Sequence, residues 1–60
     1  MKNPVEFYAE IRRETDMAVL AFDGINEIWL PRSQIEIKPV KHPDVEITLP
    51  EWLAKDKGIS

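Results

Sequence analysis

The residues able to do chemistry in this 60-residue chain are few, and their types decide a good deal. There is no cysteine, and the single histidine, His42, lies between Lys41 and Pro43. Nucleophilic catalysis needs a hydroxyl, thiol or amine activated by a base within reach. The serines are Ser33 and Ser60, so Ser33 with His42 is the one conceivable pair, and a solvated loop histidine is the simpler reading. Without thiolates or a second imidazole the usual zinc ligand sets are excluded. An all-carboxylate metal site has no motif behind it. Gly24 and Gly58 are the only glycines, too few for a phosphate-cradling loop. Eleven Asp and Glu residues make some close pairs by chance. Acid–base work also needs a cleft of about 300 Å³ or more, for which so short a chain has little room. The expectation is a protein that is not an enzyme, with no catalytic residues, metal or cofactor.

Binding chemistry is better represented. Phe7, Phe22, Trp29 and Trp52 could stack on bases, as in single-strand nucleic-acid binders. A core this small needs large apolar side chains, and Phe7 and Phe22 are read as core. The tryptophans are balanced between core and contact surface, because a half-exposed Trp is a favoured interface anchor. Tyr8 falls on the polar side of its segment. The formal charge is −3, with Arg12-Arg13 and Lys38/Lys41 the only basic concentrations, each beside an acidic residue. Nucleic-acid binders draw much of their affinity from counterion release at a basic face, so this balance argues against one. Glu6, Glu10, Glu14, Glu27, Glu36 and Glu46 would lie outward as an ordinary solvated surface, or as an acidic face for a basic protein.

The elements that must position these side chains are short. Val5, Phe7, Ala9 and Ile11 alternate with Glu6, Tyr8, Glu10 and Arg12, which predicts a half-buried strand over about 5–14. Asn3, Pro4 and Glu6 also resemble a helix start, but a helix would scatter Val5 and Ala9 off its apolar stripe. Thr15-Asp16 reads as a turn. The apolar run from Met17 to Phe22 reads as a strand near 17–23, covered on both faces or lying at a subunit interface. Asp23-Gly24 is a hairpin signal, returning as a strand near 26–30 in which Ile25 and Asn26 could belong to the loop. Pro31 marks a strand end or a free edge. A corner at Arg32-Ser33-Gln34 leads to a strand near 34–38, a proline-bounded loop over 39–44, and a strand near 45–49. Thr48-Leu49-Pro50-Glu51 predicts a capping box for a helix near 50–57, pinned by Trp52 and Leu53 and closed by Gly58 in a left-handed cap. The whole is one mainly β domain over residues 1–60. Its five or so short antiparallel strands would form a small SH3-like or OB-like barrel or a curled sheet, with a short C-terminal helix.

Two segments carry a resemblance. Trp29-Leu30-Pro31-Arg32-Ser33-Gln34-Ile35 followed by Pro50-Glu51-Trp52-Leu53-Ala54-Lys55-Asp56-Lys57-Gly58 resembles a motif pair of short phage, prophage and mobile-element proteins. Those proteins join a Trp-Ile/Leu-Pro-x-Ser-Gln-Ile segment to a closing Pro-x-Trp-Leu-Ala-x-Lys-Gly helix. The likeness covers about residues 18–60 and leaves the first strand unaccounted for. It implies a phage context, in which small proteins commonly bind and inhibit a host protein; small anti-defence proteins of the Hachiman-inhibitor kind are one such group.

A chain of this size buries only about 60% of the surface its unfolded form exposes and usually needs a staple. With disulfides and zinc removed, self-association is the staple left, most simply a homodimer. No apolar run approaches a signal-peptide core or a membrane span, so the expected location is the cytoplasm, that of the host cell if phage-encoded. The expected partner is a host protein, with nucleic acid the alternative. The candidate contact residues are Trp29, Pro31, Arg32 and Gln34, joined by Tyr8 and Trp52.

Overall fold

A computed structural model describes residues 3–59. Five strands and one helix follow one another: β1 Val5–Glu14, β2 Ala18–Phe22, β3 Glu27–Pro31, β4 Glu36–Lys41, β5 Asp44–Leu49 and α1 Glu51–Lys57, with a 3-10 turn at Arg32–Gln34. The strands form one antiparallel sheet in the order β3-β2-β1-β5-β4. The outer strands β3 and β4 are not hydrogen-bonded to each other. Of the architectures that the sequence suggests, the open curled sheet is the one formed.

The alternation in β1 sets the two faces. Val5, Phe7, Ala9 and Ile11 share a face with Val19, Ala21, Leu30, Ile47 and Leu49, and Leu53 and Ala54 of α1 pack onto them. Leu30, Ile47 and Val19 are fully buried, each side chain contributing about 1.5–3 kcal/mol by leaving water. The long strand therefore prevails over a helix: period two places every apolar residue of the segment on the core. In β2, Val19, Leu20 and Ala21 are all buried, so the continuous apolar run is covered on both sides. Ala21 and Val19 meet the core, while Leu20 lies on the outer face between Trp29 of β3 and Arg13 of β1.

Several boundaries differ from the sequence expectation. Met17 is outside the strand and 79% exposed, because Thr15 Oγ1 accepts the Met17 and Ala18 N–H groups and makes a turn there. Asp23 closes the β2–β3 loop: its Oδ1 accepts the Ile25 and Asn26 N–H groups at 2.8 Å, so both residues belong to the loop. These bonds hold the Asp23 carboxyl below its ordinary pKa, the Asn26 contact most strongly. Gly24, at φ 104°, supplies the left-handed residue the turn requires. The segment over 39–44 is not a loop. Strand β4 runs through Pro39 to Lys41, with a register shift between them, and turns at His42–Pro43, a cis peptide. As an outer strand it tolerates a proline that lacks an N–H.

The helix also differs at its start. Thr48 is in β5 and the N-cap is Pro50, with no side-chain cap bond, so the capping box does not form. Trp52 is 53% exposed, and Leu53 with Ala54 pins the helix instead. The end follows expectation. Gly58 adopts φ 78°, its N–H reaches Lys55 O, and the Ile59 N–H reaches Ala54 O at 2.7 Å, the paired bonds of a Schellman closure. Phe22 is half-buried on the outer face and lies outside the core cluster, while Phe7 packs against that cluster.

Candidate functional site

The residues proposed for contact separate into three places. On the outer face, Trp29 pairs with Leu20 and Pro31 with Ala18, so Trp29 and Pro31 share one side of β3. The Arg32 N–H donates to Met17 O at 2.8 Å, so exposed Met17 lies opposite Arg32, one step beyond the Ala18–Pro31 pair. Trp29 is 44% exposed. Trp29 and Pro31 make a small apolar corner on the outer face at the edge of the sheet, because the β3 register turns the indole away from the core.

Arg32 sits at this corner but is already engaged. Its Nε donates to Thr15 O at 3.0 Å and its Nη2 pairs with Glu14 Oε1. The side chain ties the 3-10 turn to the β1–β2 turn, and its Nη1 carries no bond among the described residues. Glu14 pairs with Val19, the register of the core face, and so lies apart from the outward carboxylates of Glu6, Glu10, Glu27, Glu36 and Glu46.

Gln34 and Trp52 lie elsewhere. They line a shallow cleft of about 420 Å³ with Glu36, Thr48, Pro50 and Glu51, between the start of α1 and β4. Tyr8, 64% exposed, is on the outer face of β1 opposite Glu46, and borders a hollow with Phe22, Asp23 and Asp44. The six residues thus do not form one patch. Trp29, Pro31 and Arg32 come together, Gln34 and Trp52 come together, and Tyr8 is apart.

Two features were missed from sequence. The apolar run places Met17 within the strand, and only the turn chemistry of Thr15 signals its exposure. The sequence places Arg12 and Arg13 beside acidic residues, but does not show that the Arg12 guanidinium covers the Phe22 ring while its Nε lies 3.4 Å from Glu10 Oε2.

For catalysis the placements are sparse. His42 borders a groove of about 590 Å³ with Glu14, Arg32, Ile37 and Pro39, and Ser33 is not among its walls. Among the described residues no group of three or more His, Asp or Glu is placed to hold a metal ion. No helix there is long and apolar enough to cross a membrane. Comparison of the chain with protein-family profiles, with curated proteins and with solved structures found no match.

Proposed function

We propose that the protein is a small phage- or prophage-type protein that binds and inhibits a host protein by steric occlusion, without chemistry of its own. The single observation supporting this reading is the apolar corner of Trp29 and Pro31, a half-exposed indole beside a proline on the outer face of the edge strand. An exposed indole beside a rigid proline loses little conformational entropy on binding, which is why such residues anchor interfaces. The phage setting and the anti-defence role, of the Hachiman-inhibitor kind, rest on the resemblance of the Trp29–Ile35 and Pro50–Gly58 segments. The host-cell cytoplasm is the compartment in which this binding would occur. Affinity capture from host lysate, read beside Trp29→Ala with its fold verified by circular dichroism, tests the reading. A specific host protein should be retained by the native chain and lost with the variant; equal capture by both removes the corner from the interface.

A second reading is carried by Arg12 and Arg13 on the same face as Phe22 and Trp29. Aromatic rings flanked by guanidinium groups suit a nucleic-acid-binding accessory module. Such binding would weaken steeply with salt, and no binding to single-stranded or duplex DNA at low salt would eliminate it.

A further inference from the structure

The two outer strands of the sheet are not equivalent. Strand β4 is blunted by Pro39, by Lys38 and Lys41, and by the register shift around Val40. Prolines, lysines and bulges are the usual devices that keep an edge from pairing with another chain. Strand β3 has one proline, at its last residue, and one charge, Glu27.

The direction of the β3 backbone groups follows from its ladder. The Arg32 N–H donates to Met17 O at one end and the Asp23 N–H donates to Asn26 O at the other. Hydrogen-bonded and non-bonded pairs alternate in an antiparallel ladder. The register Ala18↔Pro31, Leu20↔Trp29 and Phe22↔Glu27 therefore comprises the non-bonded pairs. Glu27 and Trp29 turn both N–H and C=O outward, away from β2, and Pro31 turns its C=O outward.

We propose that this edge is the seat of a second copy of the chain, with β3 pairing antiparallel to β3 across a two-fold axis at Trp29. The pattern is its own complement. Trp29 faces Trp29 of the second copy and the two exchange N–H and C=O. The Glu27 N–H faces the Pro31 C=O of the second copy, so the missing proline donor leaves only the Glu27 carbonyl to water. The indoles come side by side on the outer face as a cross-strand aromatic pair. The charge pattern favours the same alignment: a parallel pairing would set Glu27 against Glu27, whereas the antiparallel one sets Glu27 opposite the uncharged Pro31 of the second copy. The apolar corner stays on the open face of the doubled sheet, so this association does not depend on any host partner.

Sedimentation velocity across a concentration series on the whole chain tests the assembly, with amide hydrogen exchange read at Trp29. The native chain should dimerise, and Trp29 amide protection should rise with concentration, since that N–H has no partner among the described residues of a single copy. Glu27→Pro removes an outward donor without touching the β2 ladder and should weaken association about tenfold or more. Trp29→Lys keeps the backbone donors and sets two ammonium groups against each other across the two-fold axis; it should weaken association at low salt and less so at high salt, and it tests the edge independently of how the proline variant folds. A native chain that stays monomeric at high-micromolar concentration overturns the proposal. A dimer whose Trp29 amide exchanges freely, or one that Trp29→Lys leaves intact at low salt, does the same.

Discussion

The guanidinium carbon of Arg12 lies 4.2 Å from the centroid of the Phe22 ring. The β1–β2 register explains the meeting. Ile11 pairs with Ala21 and Arg13 with Leu20, so Arg12 is the extra residue of a bulge, and the bulge carries its side chain across the ring. Arg12→Ala should cost about 0.5–1 kcal/mol, the scale of an exposed cation–π contact. Urea unfolding of Arg12→Ala, Phe22→Leu and the double variant measures the coupling; additive losses would deny it.

Helix attachment is carried by Leu53 rather than by its larger neighbour. Leu53 is 3% exposed and Trp52 is 53% exposed. Leu53→Ala should lose about 2–5 kcal/mol, a large share of the roughly 3–9 kcal/mol expected at about 0.05–0.15 kcal/mol per residue. Trp52→Ala should move the thermal midpoint little. A reversed ranking in calorimetry would refute this assignment.

Gly58 ends the helix at φ 78°, and a Cβ there would meet nothing within 4 Å. The cost of Gly58→Ala is therefore conformational alone, about 1 kcal/mol. Denaturant titration should show that loss with an unchanged m-value.

Asp23 gives the β2–β3 loop a pH dependence. Its pKa is lowered in the folded state, so its contribution is present above the unfolded pKa and fades as pH falls through the lower, folded value. The Ile25 and Asn26 amide signals should shift together in acid as the carboxylate protonates. Asp23→Asn should abolish that titration while keeping an acceptor for the turn.

Much of this architecture is legible in the sequence because period two and turn residues are local signals. Val5 to Ile11 announce their own face, Thr15 its turn, and Gly58 its left-handed cap. The misread parts depend on distant neighbours. Pro39 suggests a loop until β4 is known to be an outer strand, the place in a sheet where proline is tolerated. The Thr48 to Glu51 pattern has capping-box spacing, but β5 pairing with β1 and β4 holds Thr48 in extended conformation. Phe22 and Trp52 look like core by size, yet register and helix phase put them outside. The candidate corner is visible by type in Trp29 and Pro31, whereas the exposure of Met17 shows only through the turn at Thr15.

The central position of β1 has a consequence for the order in which the molecule assembles. Its pairing with β2 joins residues close in sequence, whereas Val5 meets Leu49 at the far end of the chain. During synthesis, one side of β1 can be satisfied early by the β1–β2–β3 meander, while the other waits for β5 to emerge. Closing that longer loop carries the larger entropic cost. Docking of the β4–β5 hairpin is therefore the expected late event, and pulse-labelled hydrogen exchange should protect Ala21 and Leu30 before Ile47. Simultaneous protection of all three would point instead to a single concerted collapse.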